Sequence, residues 1–229
     1  MPAAVIVKSM FFEQVAKIWA KYSSVYVSGM VSTLWMSAVT VLVGSVLGII
    51  LALMRRSKLK VLTIIADIYV EVIRDTPSLL QLYFFWILLP KYVPGISDTV
   101  AVLIGFIMGA GAYISEIIRA GIEAVDVGQW EAGRSIGLSE SHVMSKIIMP
   151  QAIKNILPAL CNEFITTIKG TSLASVFFLG ELMTSFRSVQ SATFLALQSL
   201  TIPGIIYFLI NITLSKLIKL LERRLKQSD

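Results

Sequence analysis

Residues Val25 to Met54 run for 30 positions without one charged side chain. About 20 apolar residues suffice to cross the hydrocarbon core of a bilayer. A soluble fold would have to cover that segment with polar surface, and the chain has little to offer. Charged residues make up 15% of its 229 positions, against about 25% in a soluble domain, and the mean hydropathy is +0.79. The chain is therefore read as an all-α integral membrane protein.

Five spans are expected, at about 25–54, 61–90, 100–118, 156–182 and 192–214. The second carries Asp67 and Glu71, then the segment "RDTP" (Arg74–Pro77), before an apolar run resumes at Ser78. Lysine and arginine collect on the cytoplasmic side of a membrane. Four lie between Arg55 and Lys60, four between Arg119 and Lys154, and five between Lys216 and Lys226, whereas the intervening loops hold only Lys91 and Arg187. With five spans this sets the C-terminus in the cytoplasm and the N-terminus outside, against the three lysines of the N-terminal segment. Residues 1–22 show Phe11, Val15, Ile18 and Tyr22 at helical spacing. Two readings stay open for them: an amphipathic helix in the interface or a frayed tail. No small-residue cleavage site follows a short apolar core there, so no removable leader is expected. Residues 23–221 form the transmembrane domain and 222–229 a cytoplasmic tail.

One cysteine, Cys161, and one histidine, His142, exclude a disulfide framework and a Cys/His metal cluster. Cys161 lies in an apolar run as a packing residue, and His142 in a polar segment. Gly44 with Gly48, and Gly105 with Gly109, have the four-residue spacing of closely approaching helices.

The third and fourth spans are separated by a polar stretch, 126–150. Asp126 or Gly128 can start a helix of about nine residues and Gly137 can end it in the left-handed conformation glycine tolerates. Ser139 can cap a second helix, which Pro150 would bend toward the next span. Helices this short are not stable alone in water, so each must dock. The second offers Val143, Met144, Ile147 and Ile148 as an apolar face, the first Trp130 and Ile136. The bilayer surface and a protein partner both fit. Glu131 and Arg134, one turn apart, can pair with each other.

"EAGRSIGL", then nine residues between Gly137 and Ile147, then "IIMP" resembles the EAA signature of importer permeases of ATP-binding cassette transporters. That pattern reads Glu-Ala-Ala, three residues, Gly, nine residues, Ile-x-Leu-Pro; Gly133 and Met149 depart from it. "RDTPSLLQLYFF", "GAYISEIIRAGIEAVDVGQW" and "LPALCNEFITTIKGTSLASV" resemble further segments of the polar amino acid uptake subfamily (histidine, glutamate, glutamine, arginine, opine) in the expected order. Asp75 replaces its usual glycine and Gly170 its usual aspartate. The likeness covers Tyr22 to Lys226. It implies a type I importer permease, whose loop residues Glu131, Ala132, Gly133, Arg134, Gly137, Leu138, Ile147 and Pro150 couple to a cytoplasmic ATPase. It also implies an extracytoplasmic amino-acid-binding protein at the outer loops Lys91–Asp98 and Glu181–Ser191, and a bacterial cell membrane location.

No G-x-x-x-x-G-K-[ST] phosphate loop occurs. ATP and Mg are thus expected in a partner ATPase dimer, with no cofactor, metal or catalytic constellation in this chain. Five spans are few to enclose a pathway, so a second permease subunit, identical or homologous, is expected. The pathway is sought on the fourth span, where Glu163, Thr166, Thr167 and Gly170 fall on one helical face. Asn162 and Lys169 stand beside that face, and Thr171 and Ser172 follow it. Lys169 lies about 20 Å along a helix from Asn155 at 1.5 Å per residue, a depth at which a charge faces protein or a water-filled cavity. Glu163 suits an ammonium or cationic side chain and Lys169 a carboxylate; alternatively both pair with neighbouring helices, at Arg74 or Glu116. Arg74, Thr76, Gln81 and Glu116 are further pathway candidates. The competing function is an ion-coupled secondary transporter using Glu163 and Glu116.

Overall fold

The computed structural model describes residues 3–226, with side chains described over 10–224. Residues 1–2 of the expected N-terminal segment and 227–229 of the expected tail lie outside the described residues. The described elements are helical: α1 (Ala3–Arg55), α2 (Lys60–Asp75), α3 (Ser78–Tyr92), α4 (Asp98–Glu123), α5 (Val127–Ser135), α6 (Glu140–Val143), α7 (Met149–Gly170), α8 (Leu182–Thr193) and α9 (Ala196–Lys226). A π-helical turn, Met144–Ile148, joins α6 to α7, and a 3-10 segment, Thr171–Phe177, follows α7.

Among the described residues, three helical stretches are long and apolar enough to cross a membrane: Met10–Arg55, Asp98–Glu123 and Ala196–Arg224. The other two expected spans are interrupted. Between α2 and α3, Thr76 and Pro77 are extended (φ −110°, ψ 147° and φ −61°, ψ 129°). Proline has no amide proton and disfavours helical backbone in the residue before it. The carbonyl of Ile73, which an amide at position 77 would have met, instead accepts from Gln81 Nε2 at 2.6 Å. The fourth expected span likewise ends early as an α-helix, at Gly170, and tightens into the 3-10 segment.

The chain divides into two compact units. One contains the chain up to Ala38 with Ile168–Leu214. Here the face of α1 carrying Val15, Ile18, Tyr22 and Tyr26 packs against Leu182 and Val189 of α8 and Ile202 and Ile206 of α9. The apolar stripe of the N-terminal segment thus meets protein. Polar contacts fix the register: Tyr26 OH donates to the Ser199 carbonyl at 3.0 Å, Ser185 Oγ to the Val25 carbonyl at 3.0 Å, and the Leu182 amide to Thr33 Oγ1 at 3.1 Å. Glu181 is fully buried and caps α8, accepting from the amides of Met183 and Thr184 at 2.7 Å each. The expected outer loop Glu181–Ser191 is therefore a capped helix with one side buried.

The second unit contains Val39–Thr167 and the chain from Ser215 onward. The glycines of α1 sit where the sequence spacing indicated. A Cβ on Gly44 would lie 2.8 Å from Ala110 Cβ, and one on Gly48 would lie 2.7 Å from Ile114 Cγ2. Of the α4 pair, Gly105 meets Leu82 of α3, whereas Gly109 faces nothing nearer than 3.8 Å. Leu51, Ala66, Val70 and Ala112 join α1, α2 and α4 in one buried cluster.

Candidate functional site

The polar stretch after α4 folds as two short helices around a glycine. Asp126 Oδ1 accepts from the Gly128 amide at 2.6 Å and starts α5, nine residues long. At its end Gly137 has φ 81°. The Leu138 amide donates to the Gly133 carbonyl at 3.2 Å and the Gly137 amide to that of Arg134 at 2.9 Å, the paired bonds of a Schellman stop. Ser139 then caps α6, accepting from the His142 amide at 3.4 Å. The chain does not bend away at Pro150. Helix continues through the π turn, with the Met149 amide donating to the Met144 carbonyl, and Pro150 falls in the first turn of α7.

The underside of this loop is packed. Val143, Ile148, Ala152 and Ile156 are buried with Ile122 of α4 and Val125 just after it, and Trp130, Leu138, Met144 and Ile147 close around them. Gly133 lies directly on this cluster; a Cβ there would be 2.8 Å from Val143 Cγ2 and 3.1 Å from Ile147 Cδ1. The upper side is different. Glu131, Ala132, Ser135 and Ile136 are exposed, and Ile136 retains 76% of its surface. The expected Glu131–Arg134 pair does not form. Arg134 reaches forward to Glu140 at 3.3 Å and lies over the Trp130 ring at 5.9 Å, which leaves the Glu131 carboxylate without a partner among the described residues.

The further pathway candidates Arg74, Thr76, Gln81 and Glu116 divide. Glu116 is the centre of an ion cluster, paired with Arg55, with Arg74 at 3.4 Å and with Arg119 at 2.9 Å. Arg55 also meets Asp67 at 2.6 Å, and Arg119 meets Glu123 at 2.5 Å. Gln81 and Thr76 serve the break at Pro77: Gln81 Nε2 also donates to Thr76 Oγ1 at 2.8 Å, and Thr76 Oγ1 donates to the Val72 carbonyl at 2.8 Å. Glu116 and Thr76 are engaged within the fold, whereas Arg74 keeps 43% of its side-chain surface and Gln81 Oε1 accepts no hydrogen bond among the described residues.

On α7 the expected face 163/166/167/170 splits. Asn162, Thr166 and Lys169 are exposed, Glu163 is half-buried beside them, and Thr167 is buried. Glu163 has no hydrogen-bond or ion-pair partner among the described residues, and Thr166 Oγ1 only bonds back to the Asn162 carbonyl at 3.2 Å. Thr171, in the other unit with Lys169, Gly170 and Ser172, is buried and donates to the Ile168 carbonyl at 2.8 Å. The alternative in which Glu163 pairs with Arg74 is not realised, because Arg74 is engaged with Glu116. The sequence reading missed Arg55 and Asp67 as members of the ion cluster, whose signal is only the presence of charges at span ends.

A family described as "Binding-protein-dependent transport system inner membrane component" matches residues 44–227. The chain belongs to this family. This inner membrane component is 38% identical over 202 residues to the arginine transport system permease protein ArtQ of Bacillus subtilis, covering 88% of this chain and 92% of that one. It is 38% identical to a putative glutamine transport system permease protein of Rickettsia bellii, over 87% of this chain and 92% of that one. The L-cystine transport system permease protein TcyB of Bacillus subtilis is 37% identical over 86% and 85%. Among solved structures, a chain of an amino acid ABC transporter crystallised with histidines superposes with a TM-score of 0.87 at 40% identity, covering 90% of this chain and 96% of that one. A chain of the inward-facing MetNI methionine ABC transporter gives 0.65 at 17% identity, over 87% and 97%, a likeness of fold. The resemblance read from the loop and the helical importer-permease fold are thus both upheld, and the chain is a transport subunit of the inner membrane.

Proposed function

We propose that this permease is the pathway-forming subunit of an ATP-driven amino acid importer, coupled through 126–150 to a separate ATPase dimer that binds ATP and Mg. The observation that carries the reading is the two-sidedness of the loop. Its underside is a closed apolar cluster, while Ile136 projects into solvent beside the unpaired Glu131. A large apolar side chain held out on a rigid polar helix suits a protein cleft, and nucleotide-driven closure of that partner would move α5 to α7 as one lever.

The substrate class is an α-amino acid. The relatives are named for arginine, glutamine and cystine, whose side chains differ while the ammonium and carboxylate are shared. On α7, Glu163 supplies the ammonium or cationic contact, with Asn162 and the Thr166 hydroxyl beside it in the same unit. Two permease chains face each other, identical or homologous, and an amino-acid-binding protein delivers substrate at Lys91–Asp98. Basic residues at the α1 end, the loop and the α9 end favour a cytoplasmic C-terminus, with the N-terminus outside. The interrupted α2–α3 and α7 to 3-10 segments complete five crossings, since broken helices are tolerated in membranes where they face protein or a cavity.

Uptake into vesicles reconstituted with the chain, its ATPase and its binding protein tests this. Uptake is expected to require ATP and to survive collapse of every ion gradient; gradient-driven uptake without ATP would support the secondary-transporter reading instead.

A further inference from the structure

In the second unit, α4 is drawn tightly to two neighbours. Gly44 and Gly48 bring α1 onto Ala110 and Ile114, and Gly121 brings α4 onto Ile156 of α7. Between these seams opens a cavity of about 430 Å3, within the roughly 300–1,000 Å3 of small-ligand sites. Its walls include Ile49 and Leu53 of α1, Ile118 of α4, and Ile153 and Leu160 of α7. Ile49, Leu53 and Ile153 are each at least half exposed, so the cavity opens outward along the helices.

Water has little to hold it there. Ser45, the one hydroxyl on the wall, donates to its own helix at the Val41 carbonyl, 2.6 Å away. A buried water needs two to four polar partners. The remaining polar group is Arg56 at the rim. The two adjacent arginines differ sharply: Arg55 turns inward to Asp67 and Glu116, while the Arg56 guanidinium has no partner among the described residues. No acidic residue lines the cavity. An apolar slot with one unpaired cation at the end of a membrane helix is complementary to a lipid that pairs an acyl chain with an anionic headgroup.

We propose that this crevice binds one anionic phospholipid, with an acyl chain between α1 and α7 and its phosphate on Arg56. The proposal requires only that the chain be in a membrane, and it stands apart from the coupling and pathway roles above.

The full-length chain, with whatever subunits co-purify, is reconstituted in nanodiscs of equal phosphatidylglycerol and phosphatidylcholine. Retained lipid is then counted by native mass spectrometry. The wild type is expected to keep one phosphatidylglycerol per chain, favoured at least fivefold over phosphatidylcholine. Arg56→Gln is expected to bring that preference below twofold. Lys58→Gln, in the same basic cluster but off the cavity wall, should leave it intact. Ile118→Trp, which fills the slot, should lose both lipids. Equal retention of the two headgroups by the wild type overturns the proposal, as does an unchanged preference in Arg56→Gln. A loss in Lys58→Gln equal to that in Arg56→Gln also overturns it, since diffuse attraction would then suffice. Cross-links between copies through Ile153→Cys would assign the crevice to a second chain and equally overturn it. If Ile118→Trp fails to insert, the Arg56 and Lys58 comparison decides alone, because both side chains are on the surface.

Discussion

Glu116 on α4 and Glu163 on α7 are both acids inside expected spans of one compact unit, and their surroundings are opposite. Glu116 is met by three arginines and keeps 16% of its side-chain surface. Glu163 is half-buried and meets no partner among the described residues. A charge in an apolar setting is costly unless it is paired. The structure resolves that cost internally for Glu116 and leaves it standing at Glu163. The difference separates their roles: the satisfied acid ties helices together, and the unsatisfied one is the acid on which the proposed pathway rests.

The largest effect is expected at the satisfied site. Glu116→Ala leaves Arg74 without its ion pair and Arg55 and Arg119 with one acid each, and for a cluster half shielded and half in solvent the loss is about 2 kcal/mol. The thermal midpoint of the purified chain should fall by several degrees; an unchanged midpoint would mean that the cluster is solvated and the contrast with Glu163 is false. Glu163→Gln should do the reverse, leaving the midpoint unmoved while KM for uptake rises at least tenfold, a loss of about 1.4 kcal/mol in substrate interaction. Unaltered uptake would remove Glu163 from the pathway.

The loop repeats the contrast at smaller scale. Gly133→Ala drives a methyl against Val143 and Ile147, and overpacking of this kind costs about 1 kcal/mol. A wild-type midpoint would show that the cluster relaxes around the alanine the family pattern has there. Glu140→Gln loosens only the exposed pair with Arg134 and should barely change the midpoint. The unpaired Glu131, changed to Gln, should likewise spare stability, yet lower ATPase stimulation severalfold if it faces the partner.

The loop was legible because its signals are local. Asp126, Gly137 and Ser139 act within a few residues of themselves, and α5 has the nine-residue length those signals imply. Pro150 misled because the π turn before it carries the helix past the proline and its missing amide. The partners of Glu116 were illegible for the opposite reason: Arg55 lies 61 positions away, and nothing in either local sequence specifies the other. Gln81 illustrates the middle case. A proline at 77 is a local reason for a break, but only the fold revealed that a side chain eight residues on from Ile73 would fill the vacant place at its carbonyl. The single polar face expected on α7 failed at Thr167, which helical periodicity alone could not assign to the buried side.

The central claim is that this loop transmits the work of a separate ATPase, and Gly137→Leu tests it most directly. With φ at 81° and open space around it, Gly137 meets a backbone demand that leucine satisfies only under strain. In vesicles holding the ATPase and the binding protein, the variant is expected to insert and assemble but to lose substrate-stimulated ATP hydrolysis. Wild-type stimulation in an inserted, assembled Gly137→Leu complex would contradict the account.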